Sequence, residues 1–159
     1  MAIEKLKFKL ELWAEYWDKA PRAKILLNDH NHFDMEITGT EKEPTVIEFE
    51  HELTEGEKYR LVIKRSGKHK NQTVVENGEI IKDQLLNIKS IEIDEIDIGA
   101  LVYEAVYTPE YPEPWATQQR QAGKTLSESF KNVTTIGHNG RWMLSFESPF
   151  YMWLLENLY

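Results

Sequence analysis

Cysteine is absent from the 159 residues, and with it go disulfide staples, thiolate metal sites and thiol nucleophiles. Positive charge is scarce: 19 basic side chains face 27 acidic ones, for a formal net charge of -8. That balance works against the counterion release that drives binding to a phosphate backbone, so nucleic acid is not an expected partner. Long apolar runs are also missing. The opening MAIEKLKFKLELWAEYW interleaves charges with its apolar residues, and no segment approaches bilayer-spanning length. The chain is therefore expected to be soluble, without an export signal or membrane insertion. No nucleophile elbow, phosphate-cradling glycine loop or zincin helix motif occurs. No repeat, low-complexity segment or linker divides the chain. A hydrophobic content of 41% fits a single domain over residues 1–159 that buries a core without staples.

What is present reads mostly with a period of two. Leu6, Phe8, Leu10 and Leu12 alternate with Lys7, Lys9 and Glu11, the pattern of a strand with one buried face. Ile47, Phe49 and Leu53 share a side, as do Tyr59, Leu61 and Ile63, and Glu55 and Gly56 between them suggest a hairpin. Leu86 and Ile88 are followed by Ile91 and Ile93, a slip of one residue near Ser90 that a β-bulge would absorb. ALVYEAVY and RWMLSFE alternate again, with turn signals at Gly56, Gly67, ENGE and GHNG. The expected fold is all-β: an antiparallel, jelly-roll-like β-sandwich. One helix is expected at residues 148–159, with Ser148 as N-cap, Pro149 in the first turn, and Phe150, Leu154 and Leu158 at helical spacing. So short a helix must dock to be stable. TLSESFKNV could add another turn of helix.

Several groups have the materials for chemistry. In LLNDHNHFD, His30 and His32 stand two apart, as transition-metal ligands on a strand can, and the surrounding oxygen donors suit calcium. The same residues also make an ordinary polar turn. Asp94 and Asp97 could pair as acid and base, or simply form the solvated face of a strand. His138 in GHNG could be a general base or part of a hairpin turn. The basic residues of RLVIKRSGKHK could meet a phosphate or an acidic partner, or solvate a strand and turn. NQT and NVT fit the glycosylation sequon.

The stretch EYPEPWATQQ is the most unusual. Its prolines suggest an extended backbone carrying Tyr111 and Trp115 beside Gln118 and Gln119. Aromatic rings offer apolar faces to sugar C–H groups, amides fix hydroxyls, and prolines lower the entropy lost on positioning the rings. The same residues could be a strap closing the sandwich, with the prolines blocking edge pairing.

KAPRAKILLND, PTVIEFEHELTEGEKYRLVI and IKDQLLNIKSIEIDEIDIG resemble the calcium-dependent xylan-binding type of carbohydrate-binding module. In that family an Asp-Arg-Asn-Leu-like motif leads into a strand ending in glycine. Asp83, Gln84 and Leu85 stand where that motif falls, with Gly99 beyond, while the arginine and asparagine are absent. The resemblance implies a β-sandwich, a glycan ligand and a calcium ion for which Asp83 is the candidate contact. The second half, VYTPEYPEPWATQQ and GHNGRWMLSFESPFYMWLLENLY, is similar to small proteins of tailed phages of marine bacteria. That similarity implies a virion or phage-associated setting, including host cytoplasm before assembly.

The expected function is a non-catalytic binding module, with Tyr111, Trp115, Gln118 and Asp83 as ligand contacts, calcium as the one cofactor in view, and no catalytic residues. Glycans and virion proteins are the expected partners. The alternative is a structural virion protein, or a homo-oligomer, acting through the many large apolar residues of SPFYMWLLENLY. Most of the five tryptophans are expected in the core.

Overall fold

The computed structural model describes residues 2–69 and 72–158. Met1, Lys70, Asn71 and Tyr159 lie outside them, and with them the end of the basic cluster, the asparagine of the first sequon and the last residue of the helix expected at 148–159. In chain order the strands are β1 (Ile3–Glu15), β2 (Arg22–Leu27), β3 (His30–Glu36), β4 (Thr45–Thr54), β5 (Lys58–Ser66), β6 (Val74–Glu76) and β7 (Glu79–Lys82). They continue as β8 (Leu85–Ile93), β9 (Ile96–Asp97), β10 (Val106–Pro109), β11 (Thr135–Ile136) and β12 (Gly140–Glu147). A 3-10 helix, Gly99–Glu104, leads into β10, and the α-helices are α1 (Trp115–Gln121) and α2 (Phe150–Leu158).

Among the described residues these strands form an antiparallel β-sandwich with a separate hairpin. One sheet runs β11-β8-β1-β4 with β9 beside β8, the other runs β10-β12-β5-β2-β3, and β6 pairs with β7. The alternation in β1 shows how the sandwich closes. Leu6, Phe8, Leu10, Leu12 and Ala14 are buried, and Ile25, Leu27, Leu61, Ile63, Trp142, Leu144 and Phe146 of the opposing sheet join them in one core. Each such side chain contributes about 1.5–3 kcal/mol by leaving water. On the outer face, Lys5, Lys7 and Lys9 of β1 stand opposite Glu52, Glu50 and Glu48 of β4, a ladder of opposite charges.

The phase slip in β8 is a bulge: Glu11 pairs with Ser90 and Leu12 with Ile88, so Lys89 is the extra residue. ENGE is a true hairpin turn between β6 and β7, with Asn77 at φ 52 and Gly78 at φ 80, the left-handed pair that a tight turn of this kind needs.

Two other turns are not hairpins. β4 and β5 lie in different sheets, and so do β11 and β12, so residues 55–57 and GHNG are corners where the chain crosses the sandwich. Turn residues specify a reversal but not the edge the chain meets next. β5 finds β2 and β12 instead of β4. Gly140 is needed at the second corner, because an added Cβ would collide with the backbone of Thr108 and Pro109 in β10.

Three further expectations are corrected. ALVYEAVY is not one strand: its first residues form the 3-10 helix, which leaves Tyr103 exposed, and only Val106–Pro109 pairs, with β12. TLSESFKNV contains no helix, and Phe130 instead bridges Tyr107 in antiparallel fashion. The terminal helix exists and docks through Phe150 and Leu154, but Leu158 is exposed. Ser148 does not cap it. Glu4 of β1 does, accepting from the Phe150 backbone N–H at 3.0 Å and from the Ser148 hydroxyl at 2.7 Å. Among the described residues, no helix is long and apolar enough to cross a membrane.

Candidate functional site

The aromatic stretch gathers around the GHNG corner. Tyr107, in β10, is buried and its hydroxyl donates to the His138 carbonyl at 2.6 Å. Beyond β10 the chain bends through Pro112 and Pro114 and then forms α1. The extended backbone expected here is therefore replaced by a helix from Trp115 onward, because the prolines precede its first turn and the run WATQQRQ contains none. The Thr117 hydroxyl bonds the Glu113 carboxylate one turn earlier.

This geometry brings Tyr111, Trp115 and His138 into one cluster. The Tyr111 and Trp115 rings lie 6.0 Å apart, and His138 sits 5.3 Å from Tyr111 and 5.8 Å from Trp115. Tyr111 is fixed by its hydroxyl, which donates to the Ser127 carbonyl at 2.6 Å. Beside it a cavity of roughly 390 Å³ is lined by Tyr111, Glu113, Arg120, Glu128, Thr108 and Leu126, together with Pro109 and Ala116. Its makeup is one ring, one guanidinium and two carboxylates, with a threonine hydroxyl. Trp115 is 38% exposed next to it. Burial pushes the His138 imidazole below its ordinary value, and the cations of Lys68 and Arg65 push it the same way. Burial raises Tyr107 to about 12.

Asp83 is tied to the same corner through Lys68, and its charge opposes the downward shift of His138. Its Oδ1 accepts from the Lys68 ammonium at 2.9 Å, the Thr73 hydroxyl at 2.6 Å and the Gln84 N–H at 2.8 Å. Burial alone would raise this carboxyl, but these hydrogen bonds outweigh it and hold the group below its ordinary value. Lys68 also donates to the Gly137 carbonyl at 2.5 Å, and Asn139 braces the Lys68 backbone. Behind them Arg65 and Gln84 are buried, with the Arg65 Nη2 donating to both the carbonyl and the side-chain oxygen of Gln84 at 2.7 Å. The structure thus gives Asp83 an internal partner set, apart from the aromatic cavity.

Of the four expected contacts, Tyr111 lines the cavity, Trp115 flanks it, and Gln118 is exposed on α1 outside its lining. Asp83 does not line the cavity, although its charge reaches His138 in the aromatic cluster. Glu113, Arg120 and Glu128 were not singled out by sequence. They look like ordinary surface charges until α1 and the loop at Glu128 come together. Trp142 is fully buried, Trp13 and Trp153 are half-buried, and Trp17 and Trp115 are exposed, so the expected tryptophan core reduces to one ring.

A wider hollow of roughly 670 Å³ opens on the outer face of β5 and β12, lined by Lys58, Arg60, Val62, Arg141, Met143 and Trp153 among others. Its cations share that lining with Asp29 and Glu147, and its other rings, Tyr59 and Phe146, are buried. Like the cavity at α1 it offers one ring that is not buried, Trp153, but without a neighbouring exposed aromatic such as Trp115. No family model, curated protein or solved structure matches the chain.

Proposed function

We propose that this chain is a non-catalytic binding module that takes a short glycan in the cavity beside α1. The observation that carries this reading is the Tyr111 ring, held by Ser127 at the wall of a cavity whose other walls carry Glu113, Arg120 and Glu128. A pyranose presents C–H groups on its face and hydroxyls at its rim. Tyr111 matches the former, and carboxylates with a guanidinium match the latter, so a sugar is oriented as well as held. Trp115 extends the apolar surface for a second residue of the chain. The volume suits one or two sugar units. Calcium at Asp83 is a poorer fit, because the Lys68 ammonium already occupies that carboxylate.

The test is a glycan array probed with and without calcium, using the parent protein, Tyr111→Ala and Trp115→Ala. The expected result is a ligand whose binding disappears in Tyr111→Ala and weakens in Trp115→Ala without dependence on calcium. A folded parent protein that binds no glycan overturns the reading.

A second reading is favoured by a different observation. Tyr151, Met152, Leu155 and Leu158 are exposed along α2, although Phe150 and Leu154 already dock it. An exposed apolar row of this kind supports an assembly role through protein contacts, and the resemblance to phage proteins suggests a virion as the setting to test. Molar mass in solution separates the two: a monomer unchanged by Met152→Glu argues against assembly through this helix.

A further inference from the structure

Three of the five histidines meet at one edge of the sandwich. β3 and β4 are the edge strands of opposite sheets. His51 occupies an inward position of β4, between Phe49 and Leu53, where the alternation calls for an apolar residue. On β3 the pairing slips between Ile25 and Leu26, so that Phe33 and Asn31 are paired and His32 is the extra, bulged residue. A bulge re-aims a side chain, and here His32 lies flat on Phe49, ring centroids 4.1 Å apart and planes 12° apart. Its Nε2 then meets the Nδ1 of His51 at 2.9 Å. His30 completes the group, its ring 4.5 Å from that of His32 and 5.4 Å from that of His51, while His32 and His51 are 5.1 Å apart.

These spacings have a chemical meaning. Imidazole nitrogens bind zinc at about 2.0–2.1 Å, and tetrahedral geometry then sets neighbouring ligand nitrogens about 3.3 Å apart and their ring centres about 5 Å apart. The three ring separations bracket the latter value. The 2.9 Å nitrogen pair is a few tenths of an ångström too close, as two nitrogens sharing a proton should be. Among the described residues no group of three His, Asp or Glu side chains is placed to hold a metal ion as it stands, so the site requires the imidazoles to turn. Of His32 Nε2 and His51 Nδ1 one donates its N–H to the lone pair of the other, and losing that proton and turning the rings to face a common point would close the site. His30 is exposed.

We propose that His30, His32 and His51 bind a zinc-class transition-metal dication, which clips β3 of one sheet to β4 of the other. Imidazoles select such ions over calcium or magnesium, and three of them leave one tetrahedral position for water or an outside donor. The ion replaces the proton that His32 and His51 share. Burial and the neighbouring imidazoles keep His32 and His51 neutral more readily than free histidine, which leaves their lone pairs available. Glu52 is the one nearby charge that favours protonation of His51.

The test uses untagged protein titrated calorimetrically with zinc sulfate at pH 7.5 and pH 5.5, alongside His30→Gln, His32→Gln, His51→Gln and the outlying His69→Gln. One zinc per chain is expected at pH 7.5, lost at pH 5.5. Each cluster variant should weaken it by at least roughly ten-fold, since disturbing even an outer partner of a metal ligand costs that much. His69→Gln should bind like the parent. His30→Gln replaces an exposed side chain and keeps the test valid if the other variants fold poorly. Cobalt should give the visible absorption of a tetrahedral site in the parent and lose it in His30→Gln. Zinc binding that is absent, or equal in the parent and His30→Gln, overturns the proposal.

Discussion

Replacing Gln84 by alanine should be among the costliest single changes in this protein. The side chain is fully buried, accepts from the Arg65 guanidinium at 2.7 Å, and donates to the Lys19 carbonyl at 2.7 Å and to Gln72 at 3.2 Å. A bond to a charged donor is worth about 1.5–3 kcal/mol and each neutral one about 1 kcal/mol, so the loss comes to about 4 kcal/mol. Arg65 aggravates it. Among the described residues its Nε and Nη1 have no partner, and burial already lowers its guanidinium to about 10. Without the Gln84 side chain, Arg65 keeps, among the described residues, the Gln84 carbonyl alone. In urea, with a slope of about 2 kcal/mol per molar for a domain of this size, the midpoint should fall by about 2 M. The same reasoning makes a second forecast. Once Gln84 is gone, Arg65→Met removes a poorly paired buried charge and should restore at least about 1 kcal/mol. A Gln84→Ala loss under about 1 kcal/mol, or a double variant whose loss equals the two single losses added together, would refute the reasoning.

Two further predictions concern the edges of the fold. His32 and His51 are held below the ordinary histidine value, so the unfolded chain takes up protons first as pH falls past about 6.5. The stability they provide is complete above that value and declines below it through the folded values. Melting temperature should therefore drop between pH 7.5 and pH 5 less steeply in the His32→Gln/His51→Gln variant, and parallel slopes would exclude the effect. Glu4→Ala removes the acceptor of the Ser148 hydroxyl and the Phe150 N–H, and should cost about 1–2 kcal/mol. Proteolysis should then cut within α2 well before it does in the parent, and an unchanged cleavage pattern would show that docking alone holds the helix.

What the sequence disclosed was governed by range. Alternation in β1 and the slip at Ser90 are local facts, and both survive in the structure because burial of one face leaves a strand no other register. The corners at Gly56 and GHNG did not, because a turn signal is identical whether the chain returns to the same sheet or crosses to the other. Trp115 was visible as an aromatic but not as the first residue of a helix. His51 was the overlooked signal: a polar residue at an apolar position between Phe49 and Leu53 in the alternation. Only its meeting with His30 and His32, on a strand of the opposite sheet, gives it meaning, and that meeting depends on a bulge. Glu113, Arg120 and Glu128 could not have been selected, since their significance arises from a cavity formed by separate segments.

The position of β1 also bears on how the chain is made. It precedes the other described strands in the chain, yet it lies between β4 and β8, and its Glu4 waits for a partner 144 residues later. During translation a long, alternating strand of leucine and phenylalanine therefore emerges with neither neighbour, and gains its second only after residue 93. Pairings of such separation form slowly. Until then an open edge can recruit a strand from another nascent chain, and the lysine row on its outer face is the protection the strand carries itself.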